Sequence, residues 1–241
     1  MGTMATIEVG IDTPPIEVLA RIESHFEAIE NRFSLYRPDS ELNRVAADTL
    51  SLMDSSPELR EVYADALRWR NATNGAFTPH RPDGVIDLDG IVKAVAIDRA
   101  GAVLDEAGLG DWCVNVGGDI LCRGTQSDGN PWTIGIVDPA DRQSLLCSIV
   151  LAVGRRAVAT SGRAERGDHI WRDGRHTDAQ FRQVTVVADD IITADVLATA
   201  IVSGGSALLD EITEHWSVDV LTVDSEGSLR ATPGFRAALA V

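Results

Sequence analysis

Apolar residues recur at helical spacing in the first part of this chain, then collect into short strand-like runs. Ile16, Leu19, Ile22, Phe26, Ile29 and Phe33 follow a helical period. Thr13-Pro14 stands before them as a cap with proline at the first helical position. Ser56-Pro57 opens a second helix that carries Leu59, Val62, Tyr63, Ala66 and Leu67 on one face, and a third spans about Ile91 to Ala107. Strand-like runs begin with Thr6 to Val9. They continue at Cys113 to Val116, Trp132 to Val137, Leu145 to Val153, Ala157 to Ala159 and Val184 to Ala188. Two short helices are expected at Ala194 to Val202 and Ala207 to His215. A strand at Val218 to Val223 and a hairpin-like tail after Gly227 complete the pattern. Helices and strands do not alternate strictly, so the pattern predicts α+β with a mixed or mostly antiparallel sheet. No linker and no repeat divides residues 1–241, which are expected to form one domain.

Charge and cysteine usage narrow the function. The formal net charge of −16 argues against a generic grip on nucleic acid, which needs clustered Lys and Arg. Leu145 to Val153, the longest strongly apolar run, is too short to cross a bilayer, and the start carries no signal-peptide pattern. Cys113, Cys122 and Cys147 are odd in number and lack CxxC spacing. That argues against a disulfide framework or a zinc site and fits a cytoplasmic location. Of the 21 basic residues, 20 are Arg and one is Lys93. Lys is a compact point charge that suits a tight pocket, so its single use is notable.

Four segments carry polar chemistry. Phe33 to Asn43 surrounds Tyr36 with polar groups, although Ser40 alone would explain it as a helix cap. Asp87-Leu88-Asp89-Gly90-Ile91-Val92-Lys93 sets a glycine one helical turn before the lysine; Asp89 also suits an ordinary N-cap. Asn115 to Ile120 runs a strand into Gly-Gly-Asp, either a plain hairpin or a turn that aims N–H groups at a phosphate. The last comprises Thr160-Ser161-Gly162, His169-Ile170 and Asp195 to Thr199. Asp195 and Thr199, four apart, share a helix face and offer hard oxygen ligands that suit Mg²⁺; a dipole-favoured Asp beside a buried Thr is the plainer account. His169 could serve as a base near neutral pH or be a surface residue.

Taken in order, these segments resemble the ApbE-like family of FAD:protein FMN transferases, from Met1-Gly2-Thr3 to Thr199 and the helix after it. The resemblance implies an α+β fold with its site between two halves. It also implies Mg²⁺-dependent transfer of FMN from FAD to a Thr or Ser hydroxyl of an acceptor protein, with release of AMP. Met1, Tyr36, Ala76, Phe77, Thr78, Asp87, Lys93 and Ile170 match the family's FAD-contacting positions. Gly90 matches the residue that offers a carbonyl to the metal, Asp195 and Thr199 match its side-chain ligands, and His169 matches a candidate catalytic histidine.

Departures are specific. Thr78 stands where the family has Asp, Ala94 where it has Gly, and Arg172-Asp173 follow Trp171 where it has Asp-Pro. The stretch between Phe77 and Asp87 is several tens of residues shorter than usual. An FAD-binding protein without catalysis, and a Mg²⁺-dependent FAD pyrophosphatase that uses water, are the alternatives these departures raise.

Overall fold

A computed structural model describes residues 3–10, 13–152, 154–162 and 181–240. Its nine described strands are β1 (Ala5–Val9), β2 (Trp112–Val116), β3 (Asp119–Arg123), β4 (Thr133–Val137), β5 (Leu145–Val150), β6 (Ala157–Gly162), β7 (Phe181–Ala188), β8 (Asp219–Asp224) and β9 (Leu229–Ala231). The described α-helices are α1 (Ile16–Phe33), α2 (Glu41–Ala46), α3 (Pro57–Ala72), α4 (Asp89–Glu106), α5 (Ile191–His215) and α6 (Pro233–Ala237). The strands form one seven-stranded sheet, ordered β1-β2-β3-β6-β7-β8-β9, and a separate β4-β5 ribbon. Every described pairing is antiparallel, so the fold is α+β, as the pattern predicts.

Strand alternation splits the side chains into two layers. Trp112, Val114, Val116, Leu121, Ala157, Ala159, Val184 and Val186 face the helices and join one core with Ile97, Leu104, Ala198 and Ile201. Cys113, Ile120, Cys122, Val158 and Val187 face the other way, under Ile134, Ile136 and Ile149 of the ribbon and Phe235 of α6. The alanines of β6 leave room for α5, which packs across β6 and β7 and against α4. Glu58 of α3 pairs with Arg32 of α1 and Arg99 of α4, tying the three helices together.

Two local expectations change, and a third holds. Helix α1 begins at Ile16, two residues after the expected proline, with Pro15 as its N-cap and no side-chain cap. Pro14 precedes another proline, which excludes it from helical backbone. Ile16 is consequently 77% exposed, and Val18 takes an inward position. The two short helices are present as expected within α5, where Gly205, with φ of 71° and ψ of −160° outside helical geometry, divides one from the other. The tail does form a hairpin through β9, and then turns into α6, capped by the Thr232 hydroxyl on the Phe235 N–H.

Helix α5 is also long and apolar enough to cross a bilayer on composition, yet 72% of its apolar window is buried inside the protein. That burial is the pattern of a core helix lying against a sheet.

Candidate functional site

The β2–β3 turn at Gly117-Gly118 places Asp119 at the first position of β3, on the helix-facing side of the sheet. Lys93 lies one turn into α4, which packs on that face. Its Nζ lies 2.5 Å from Asp119 Oδ2, with the Asp119 side chain only 1% exposed. The other carboxylate oxygen accepts the Thr160 N–H at 3.1 Å, so Asp119 bridges α4 to β6. The next residue on β6, Ser161, shares a hydrogen bond of 2.9 Å with the Thr199 hydroxyl of α5. Asp195, fully buried, lies one turn before Thr199 on the same helix face. Asp119, bonded to Lys93 and to the Thr160 N–H, thus stands one residue along β6 from the Ser161–Thr199 bond, and Asp195 shares the Thr199 helix face.

Ala76 and Phe77 wedge against both helices. A Cβ on Gly90 would sit 2.9 Å from the Phe77 ring, and one on Gly204 would sit 3.3 Å from the Ala76 Cβ. Gly90 therefore admits Phe77 against the first turn of α4. The short stretch after Phe77 closes as a tight loop. Arg81 N–H donates to the Val85 carbonyl, and Asp87 N–H donates to the Pro79 carbonyl at 2.8 Å. Thr78 and Asp87 are thereby held near the two ends of one loop. Asp87 Oδ1 accepts the Asp89 N–H at 3.0 Å and steadies the start of α4. The N-cap position is Leu88, with no side-chain cap, so Asp89 is the first helical residue rather than the cap. Within the loop, His80 Nε2 lies 2.9 Å from the Tyr63 hydroxyl, and burial, then the Arg70 charge, lower its pKa.

Other expected residues lie apart or outside the described part. Tyr36 is 75% exposed on the loop between α1 and α2, where Ser40 caps α2 through the Asn43 N–H. Ser40 therefore acts as the expected helix cap, and leaves the Tyr36 side chain exposed. Met1, His169 and Ile170 lie outside the described residues. Two residues of this cluster, Asp119 and Ser161, were not among the expected site residues. Their motifs are visible in sequence, but only strand pairing brings them to Lys93 and Thr199.

A much larger cavity than the space at this cluster lies elsewhere among the described residues. About 1300 Å³ opens on the ribbon side of the sheet beside Cys122, Trp132 and Phe235. A smaller one of about 140 Å³ borders Asn115, Gly118, Thr160 and Gly162. We place the candidate chemistry at the Lys93–Asp119 cluster rather than in the larger space. The cluster joins a lysine, buried carboxylates and hydroxyls, whereas the large cavity is mostly apolar-walled.

Comparison with known proteins accords with this arrangement. The family model described as the ApbE family matches residues 1–82 and 78–222. The two matches meet at the shortened loop. Over 94% of this chain, and 83% of its own length, an FAD:protein FMN transferase of Salmonella typhimurium is 23% identical. One from Vibrio cholerae is 27% identical over 92% of this chain and 85% of its own length. Among solved structures, the flavin transferase ApbE from Vibrio cholerae superposes with a TM-score of 0.79 at 25% identity, covering 99% of this chain and 96% of that one. An ApbE protein from Thermotoga maritima gives 0.80 at 20% identity, covering 99% and 100%. With a family match across most of its length and the same overall fold, the chain belongs to the ApbE family.

Proposed function

We propose that this protein is a transferase that moves FMN from FAD to a Thr or Ser hydroxyl of an acceptor protein and releases AMP. The observation that carries this reading is family membership over most of the chain, with relatives named FAD:protein FMN transferase. The Lys93–Asp119 pair and the Ser161–Thr199 bond support it, because they assemble charge and hydroxyl groups at one place on the sheet.

A divalent ion fits the donor set. The buried Asp195 carboxylate shares a helix face with the Thr199 hydroxyl, and Ser161 adjoins that hydroxyl at 2.9 Å. Hard oxygens of this kind suit Mg²⁺. Asp195 and Thr199, with the Gly90 carbonyl, would hold it. Once bound, Mg²⁺ would neutralise charge on the FAD pyrophosphate.

The chain's own groups do the rest. Lys93, held by Asp119, adds a positive contact to the pyrophosphate. Ala76, Phe77, Thr78 and Asp87 line the flavin nucleotide, together with Met1, Tyr36 and Ile170. His169 takes the proton from the acceptor hydroxyl. That oxygen forms a new bond to the FMN phosphorus, the bond from that phosphorus to the AMP oxygen breaks, and AMP departs.

Incubation with FAD, Mg²⁺ and acceptor candidates from the same genome tests the reading. A mass gain of one FMN on an acceptor is expected. Unmodified acceptors, with FAD consumed to FMN and AMP, would favour hydrolysis, which the short loop between Phe77 and Asp87 motivates by opening the site to water.

A further inference from the structure

On the opposite side of the sheet from Lys93, Cys113 of β2 and Cys122 of β3 stand directly across from each other. Their sulfurs are 3.0 Å apart. Both side chains are buried, at 8% and 2% exposure, in the layer beneath the β4–β5 ribbon. The peptide groups of Cys122 point away from β2. Its N–H donates to the Arg156 carbonyl at 2.8 Å, and its carbonyl accepts Arg156 Nε at 3.1 Å. Cys113 and Cys122 are therefore a non-hydrogen-bonded pair, in which Cα atoms approach to about 4.5 Å and side chains come closest. That separation lies within the range that a disulfide spans, about 4.4–6.8 Å.

The sulfurs need only side-chain rotation to join, and a route for a small oxidant exists. Cys122 lines the cavity of about 1300 Å³ that opens between β3, the ribbon and α6. The Cys113 hydrogen bond and burial push the Cys122 thiol above its ordinary range, which disfavours the thiolate and slows its reaction with an oxidant.

We propose that Cys113 and Cys122 are a redox site that closes to a cross-strand disulfide, with hydrogen peroxide as oxidant. Both S–H bonds break and one S–S bond forms. The two thiols lose two electrons and two protons, and the peroxide takes them up to leave as two waters. The crosslink ties β2 to β3 three residues from Asp119, so it braces the hairpin whose turn holds Asp119 against Lys93. The inference is independent of flavin transfer.

The test uses the full chain, treated with hydrogen peroxide, freed of excess and denatured before its thiols are titrated. Reduced protein has three cysteines. Oxidised protein should show a single reactive thiol, a mass lower by two hydrogens and a linked 113–122 peptide. Dithiothreitol should restore the reduced count. The oxidised form should also melt a few degrees higher, because the crosslink limits the unfolded chain. Cys122→Val should form no linked peptide under the same treatment, and Cys147→Ser should lose all titratable thiols on oxidation, which keeps the test sound if Cys122→Val does not fold. An unchanged thiol count in folded protein, a mass gain of oxygen without linkage, or dimers joined through Cys147 would each overturn the proposal.

Discussion

The Lys93 ammonium lies 2.5 Å from an Asp119 carboxylate oxygen that is almost wholly buried. Removing either partner leaves the other charge short of compensation. Lys93→Met should cost about 3 kcal/mol of stability, because an uncompensated buried carboxylate is expensive. Lys93→Met combined with Asp119→Asn should recover part of that loss. Urea denaturation of the two single variants and the double variant measures the coupling. A double variant whose loss equals the sum of the two single losses would mean the pair contributes nothing.

Thr199 separates structure from metal binding. Thr199→Val removes the 2.9 Å bond with Ser161 and should cost about 1 kcal/mol. It should also abolish the effect of Mg²⁺ on FAD affinity, and Thr199→Ser should restore that effect. Asp195→Ala should remove it outright. Calorimetry of FAD binding with and without Mg²⁺ reads both variants. A Mg²⁺ effect that survives Asp195→Ala would reject Asp195 as a ligand.

Gly90 is required by contact with Phe77. A Cβ there would sit 2.9 Å from a ring carbon of a residue only 3% exposed. Gly90→Ala should destabilise by about 1–3 kcal/mol through overpacking. Adding Phe77→Leu should relieve much of that cost. Thermal melts of the two variants check it; a neutral Gly90→Ala would show that the ring moves freely.

His80 should make stability fall at mildly acidic pH. Burial, then Arg70, lowers its pKa in the folded protein below the ordinary 6.5. The unfolded chain takes up that proton near pH 6.5 while the folded chain does not. Stability is therefore lost as pH drops through 6.5 towards the lower folded value. The wild-type urea midpoint should fall more than that of His80→Gln between about pH 7.5 and about pH 5.5. Parallel curves would show that His80 is not the responsible group.

Much of the fold could be read from residue order. The Ser56-Pro57 start of α3 and the Ser40 cap of α2 rest on contacts three residues apart. The shared face of Asp195 and Thr199 needs only the helical period. Expectations failed locally where one residue restricted its neighbour, as Pro15 does Pro14. The cysteines are the clearest case. Their spacing argues against a disulfide framework, and all three are free, but strand register sets Cys113 against Cys122.

Sequence by itself determined the class of each segment, the polar motifs and the family likeness, because these depend on local periods and on residue order. Only the tertiary structure decided that Asp119 is the partner of Lys93 and that Ser161 meets Thr199. Those contacts exist because β3 pairs with β6 while α4 and α5 pack on one face of the sheet. Such pairing is selected by packing summed over many distant residues, and no short stretch of chain contains it.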